Sequence, residues 1–246
     1  MTATSVPPRP RANSSPPELE EISRARRIVD RLGGRFSLEL DIDVDHGAGE
    51  VDRWALAATV IGELSPTSVA VDAYRTLERT GVATFADLLA SGSGQLVRAL
   101  DEAGCLHYAE STASGLLGLA EAVRDRHPDG LAALGKEIPD PVELERELCA
   151  LPGWSQAIVR TFLRELRGVW AGADVPLDPR TAAAARHVDI SSDLHGLAVL
   201  ATAAHLDLRD LETALMRLAL SHDTTNCPGG EECPLAEADR EDYVHF

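Results

Sequence analysis

A proline and a glycine set inside an otherwise helical stretch constrain this chain more than any other feature: Leu151-Pro152-Gly153-Trp154-Ser155-Gln156-Ala157-Ile158-Val159-Arg160. Before it, Leu144, Leu148 and Leu151 share one helical face; after it, Ile158, Val159, Phe162, Leu163 and Leu166 share another. Two helices therefore meet at Pro152-Gly153. A glycine there lets the backbone turn sharply and come close to a bulky neighbour, while the second helix points its free N–H groups outward. Such an end is an anion site suited to a phosphate.

Composition agrees with a helical fold. Aromatic residues make up only 4% of the chain while alanine and leucine abound, which favours helices over a sandwich or barrel. A hydrophobic content of 44% over 246 residues supplies a core for one large or two small domains. No apolar run approaches the roughly 18 residues of a membrane-spanning helix, and the N-terminus shows no apolar signal segment. The expectation is a cytoplasmic protein with no membrane contact. Four cysteines do not make a secreted disulfide framework, and Cys105 and Cys149, in helical stretches, read as core thiols.

Along the chain, residues 1–17 are rich in proline, serine and threonine with two arginines, and read as a disordered arm. Leu19, Ile22, Ile28, Val29 and Leu32 give a helical face that ends at Gly33-Gly34. Phe36, Leu38, Leu40, Ile42 and Val44 then alternate with polar residues, which predicts an acidic extended segment that lies in a groove or pairs across a dimer. From Val51 about six helices follow closely: Asp52 is expected to cap the first, and Thr84, Ser93 and Tyr108 to open later ones. Asp140-Pro141 and Asp178-Pro179 each combine a cap with proline at the first helical position. Ser191 or Ser192 is expected to begin another helix, and Asp207 the last. This gives a central helical domain over 51–172, ending in the hairpin of about 141–170, and a terminal helical domain from 18–50 plus 173–246.

The order of three motifs resembles a known family. Leu151-Pro152-Gly153 before a helix, Pro176-Leu177-Asp178 about twenty residues on, and a C-terminal cysteine pair with Cys233-Pro234-Leu235 are similar to the helix-hairpin-helix DNA glycosylases of the endonuclease III type. The resemblance runs from roughly Val51 to Asp239. It implies an all-α, two-layer architecture with a cleft between the layers, double-stranded and damaged DNA as partner, and a nucleoid association. It also implies that the hairpin holds a DNA phosphate through the amides near Gly153, Ser155 and Ala157, with Leu151, Trp154, Arg160 and Arg180 around them; the Trp154 indole reads either as a stacking surface there or, by preference, as a plug into the neighbouring helix. Asp178 becomes the essential carboxylate at the mouth of a cleft that receives a flipped base, assisting glycosidic hydrolysis by a water. Leu64 matches the place of a residue that inserts into the DNA stack; closing its helix against the core is the alternative.

The departures carry equal weight. Family hairpins usually read Leu-Pro-Gly-x-Gly with a catalytic lysine two residues on; here the second glycine is Ser155 and the lysine position is Ala157. Alanine cannot form a Schiff base, so the expectation is a monofunctional glycosylase without lyase activity. The alternative is a catalytically silent protein that binds DNA or a protein partner, or a homodimer. A net charge of −17 opposes DNA binding, because phosphate contacts come from Lys and Arg. Between Leu151 and His187, however, five arginines stand against three carboxylates, a local +2 that leaves −19 for the rest.

Many relatives hold a [4Fe–4S] cluster on four C-terminal cysteines. Here Cys233 fits the third, Cys227 lies near the first, the second is missing, and Asp239 occupies the fourth. Two thiolates do not satisfy a Cys₄ cluster, so the expectation is a degenerate remnant with no cofactor. If any metal binds, the set is His222, Cys227, Cys233 and Asp239. His187, His195 and His205 read as surface or satisfied core histidines.

Overall fold

The computed structural model describes residues 16–63, 67–105, 108–224 and 226–235, and all the regular structure among them is helical. Helix α1 (Leu19–Leu32) is followed by a single turn, α2 (Phe36–Glu39). The middle of the chain forms α3 (Ala48–Glu63), α4 (Thr67–Arg79), α5 (Phe85–Ser91), α6 (Ser93–Glu102) and α7 (Ala109–Arg126). A short α8 (Leu134–Glu137) leads into α9 (Pro141–Cys149) and α10 (Gln156–Arg164). Three helices complete the described chain: α11 (Pro179–His187), α12 (Leu194–Ala204) and α13 (Leu208–Ser221). No helix among the described residues is long and apolar enough to cross a membrane.

Side-chain caps start six of these helices, α5 and α9 through α13, because a short polar side chain meets an amide that has no partner inside the helix. Thr84 and Asp87 form a reciprocal capping box on α5. Asp140 accepts from the Glu143 amide at 2.8 Å and Asp178 from the Arg180 amide at 2.8 Å, each followed by the expected proline. Asp207 opens α13 as predicted. Two predicted starts differ. Helix α12 is capped by Asp193, whose carboxylate reaches the Gly196 amide at 2.9 Å, and Ser191 only donates its hydroxyl to that carboxylate. Helix α3 already begins at Ala48, so Asp52 lies inside it and turns its carboxylate to the Ala132 amide.

The alternating segment from Phe36 to Val44 is not extended. It makes one helical turn, reverses at Asp41, whose φ is 55°, and closes in a 3₁₀ turn at Val44–His46. The alternation also fails to mark one face, since Ser37 is fully buried while Leu38 is 46% exposed. The cause is a distant partner: both Glu165 carboxylate oxygens accept at 2.9 Å, one from the Phe36 amide and one from the Ser37 amide, capping this turn from outside.

Apolar side chains gather in two clusters. The larger runs from Phe36 to Val175 and contains the fully buried Trp54, Tyr74 and Phe162. The smaller joins Ala25 and Ile28 of α1 to α11, α12 and α13 and takes in Cys233. Phe36, Leu40, Ile42 and Val44 belong to the larger cluster.

Charged groups fill the seam between the clusters. Arg167 donates to Glu212 at 2.8 and 3.1 Å and to the carbonyls of Ala173 and Val175, and Arg164 donates to the Thr213 hydroxyl at 3.1 Å. Burial pushes the Glu165 carboxyl up, against the pull of Arg164 and of the Phe36 and Ser37 amides. Nearer solvent, Arg209 bridges Asp45 and Asp207. The hydrogen bond from Arg209 holds Asp45 below the usual carboxylate range. At Asp207 burial is the largest influence and pushes upward, but the bonds from Arg209 outweigh it and the net shift is downward.

These two depressed carboxyls set an acid limit. A folded pKa below the unfolded 3.8 adds stability that is present above that value and lost as pH falls through the folded one. Asp45→Asn is therefore expected to lower the urea midpoint at pH 7, with the difference from the native chain closing as the pH falls below 3.8 and through the folded pKa. A difference that persists unchanged at low pH would mean that Asp45 acts through packing and not through charge.

Candidate functional site

The hairpin forms where the sequence places it. Leu144 and Leu148 bury one face of α9, Leu151 continues that face, and Gly153 turns the chain at φ 77°. The Trp154 amide donates to the Leu151 carbonyl at 3.2 Å and the Ser155 amide to the Gly153 carbonyl at 3.0 Å, so both are spent inside the turn. The Ser155 hydroxyl then caps α10 by accepting from the Ile158 amide. Among the described residues, no protein acceptor meets the amides of Gly153, Gln156 and Ala157, and all three residues are exposed. Amides without a partner at the start of a helix are donors of the kind that anions take up.

Leu151 and Trp154 are not at that surface, since each is only 3% exposed. The Trp154 indole enters the core beside Phe162, with ring centroids 5.2 Å apart, and donates its N–H to the Thr59 hydroxyl at 2.9 Å. Here the tryptophan is a plug that fixes the hairpin to α3. Gly62 of α3 lets the two helices close up, because a Cβ there would stand 2.3 Å from Ile158 Cγ1.

Asp178 is half-buried at the head of α11, its carboxylate on the Arg180 amide. Its charge acts on the buried Arg164, whose own pKa is lowered, first of all by burial. The other predicted cations are largely spent. Arg160 pairs with Glu145 at 2.9 Å, Arg167 is buried on Glu212, and only Arg180 and Arg186 of the five are exposed. The local excess of positive charge counted along the sequence is thus mostly internal. Leu64 and Asp239 lie outside the described residues.

A cavity of about 610 Å³ opens beside the tip, lined by Pro152, Gly153, Thr59 and the small residues along α7. Another of about 470 Å³ lies between Val44, Val51, Lys136 and Trp170. A third, of about 890 Å³, is bounded by α1, His187 and the loop at Pro228–Gly230. Asp178 lines none of the three.

The C-terminal loop holds a grouping that the sequence only half reveals. His187, His222, Cys227 and Cys233 each offer a ligand atom, and all four atoms lie within 4.8 Å of one another. The structure thus brings to His222, Cys227 and Cys233 a histidine from the end of α11, His187, 35 residues before His222 in the sequence. No periodicity or spacing signals that approach. Burial and then the neighbouring His222 lower the His187 pKa, which favours the neutral imidazole. The two cysteines of this grouping do not fit a [4Fe–4S] cluster, which takes four thiolates.

Neither a protein-family model nor a curated protein matches this sequence.

Proposed function

We propose that this chain is a helix-hairpin-helix protein of the DNA glycosylase type that holds a DNA backbone phosphate at its hairpin without excising a base. The reading rests on one contrast. Among the described residues the exposed amides of Gly153, Gln156 and Ala157 have no protein acceptor, whereas Asp178 gives its Oδ1 to the Arg180 amide and lines none of the three cavities described above. A phosphate at the tip would meet N–H donors and the positive end of α10 together. Base hydrolysis needs a carboxylate that faces the sugar as positive charge develops there, and a lyase step needs an amine that Ala157 does not supply. With few exposed cations nearby, binding should be weak and steeply salt-dependent.

A second reading, a monofunctional glycosylase with Asp178 as its essential carboxylate, is favoured by the electrostatic influence of the Asp178 charge on the buried Arg164. One terminal guanidinium nitrogen of Arg164 has no partner among the described residues, which marks this seam as polar beyond what packing needs.

One experiment separates the two. Labelled duplexes carrying uracil, alkylated, oxidised or mismatched bases are incubated with the native chain, Asp178→Asn and Ala157→Glu, then treated with or without alkali, with binding measured over a salt series. The expected result is binding that falls steeply with salt, is unchanged in Asp178→Asn and is lost in Ala157→Glu, with no alkali-revealed breakage. Ala157→Glu suits the test because a carboxylate in the first turn of α10 favours the helix while opposing a phosphate. Breakage that disappears in Asp178→Asn would establish the glycosylase reading. Binding that ignores both salt and Ala157→Glu would reject the DNA reading and point to a protein interface.

A further inference from the structure

We infer that His187, His222, Cys227 and Cys233 form a closed site for a single zinc ion that fastens the C-terminal loop to the end of α11. Two thiolates and two imidazoles make one of the standard four-ligand sets of structural zinc. Zn–S and Zn–N bonds of about 2.3 and 2.0–2.1 Å at tetrahedral angles place neighbouring ligand atoms about 3.3–3.8 Å apart. The four donor atoms here all fall within 4.8 Å of one another, and Cys233 Sγ stands 3.6 Å from His222 Nε2, inside that interval.

Three separate parts of the fold supply the donors: the last residue of α11, the residue after α13, and the loop that follows. The loop is shaped to reach them. Gly229 and Gly230 adopt φ of 79° and 56°, a left-handed region that side chains disfavour. A Cβ on Gly229 would stand 2.6 Å from the His187 carbonyl and 3.2 Å from its Nδ1, so the loop can seat against this histidine only with glycine there. The His187 and His222 rings lie 5.3 Å apart, and His187 Nε2 is buried with no hydrogen-bond partner among the described residues. A polar atom in that state is costly unless something else fills the place.

The chemistry narrows the ion. Four protein donors leave no open position for water, so the site is structural and supplies no nucleophile. A two-iron centre with the same ligand types puts both imidazoles on one iron and both thiolates on the other. The close approach of Cys233 to His222 fits one shared ion instead. Nearby, Arg31 of α1 donates to the Pro234 carbonyl at 2.9 Å, so the loop is held from α1 as well as from α11.

The full chain, purified under reducing conditions from zinc-supplemented culture and without chelator, is analysed for zinc, iron and sulfide. The expected result is one zinc per chain without iron. Cys227→Ser, Cys233→Ser and His187→Ala should each lose the zinc, while Cys149→Ser, outside the cluster, keeps it. Cobalt exchanged into the native chain should give the intense visible bands of a tetrahedral thiolate site, which tests the proposal even if the variants fail to fold. A chelator should lower the melting temperature of the native chain. Zinc well below one per chain, zinc retained in both Cys233→Ser and His187→Ala, octahedral cobalt bands, or iron with sulfide would each overturn the inference. None of these readouts depends on DNA.

Discussion

Glu212→Gln is expected to destabilise the fold by about 3–5 kcal/mol, the usual cost of leaving one half of a buried ion pair uncompensated. The Arg167 and Glu212 side chains are only 4% and 3% exposed, and the carboxylate takes two guanidinium N–H bonds at 2.8 and 3.1 Å. Glutamine offers one oxygen and turns an NH₂ group toward the second N–H, so Arg167 keeps its charge with only the distant, exposed Asp174 carboxylate, 3.8 Å away, as countercharge. The carbonyls of Ala173 and Val175 hold the rest of the guanidinium in place, which prevents it from swinging out to solvent. Removing both charges should cost less: Arg167→Met with Glu212→Leu is expected to recover much of the loss, because burying the pair was itself expensive. Urea unfolding with the slope monitored measures both. A cost below about 1 kcal/mol for Glu212→Gln would show that water reaches the pair, as it reaches an exposed one.

The same arginines explain why part of the site could not be read from the chain. Local signals were legible: Asp140-Pro141, Asp178-Pro179 and the Leu-Pro-Gly turn each satisfy orphan amides with residues a few positions away, and each stands where the sequence places it. The destination of Arg164 and Arg167 depends on α13, some 45 residues later, and nothing in their own spacing distinguishes a phosphate-binding arginine from one consumed by Glu212. Phe36–Val44 misleads for the same reason. Its period of two is real, but a carboxylate from position 165 caps its first amides and converts a strand-like pattern into a helical turn. His187 belongs to this class too, since its place beside Cys227 and Cys233 follows from how a glycine loop folds back on α11. Pairings close in sequence are written in the sequence; those that cross the seam are not.

Phe162→Ala is expected to cost about 3–5 kcal/mol, the range for removing a fully buried aromatic ring. Phe162 is 0% exposed and is the middle ring of a row, 5.2 Å from Trp154 and 5.6 Å from Trp170. Its backbone carbonyl also accepts the Trp54 indole N–H at 3.0 Å, so α10 is held to α3 by an apolar and a polar contact at one residue. The carbonyl survives the substitution, which confines the loss to the ring and the cavity it leaves. Trp154 borders that cavity and carries the hairpin tip, so the loosening should reach the surface. Its fluorescence should redden, and amides at Gly153–Ala157 should exchange faster than in the native chain. Phe162→Leu, which refills most of the volume, should restore the greater part of the stability. If Phe162→Ala lowers global stability but leaves exchange at the tip untouched, the hairpin is held by the Trp154–Thr59 hydrogen bond and not by the aromatic row. Trp154→Phe, which deletes that bond while keeping a ring, would then loosen the tip where Phe162→Ala did not.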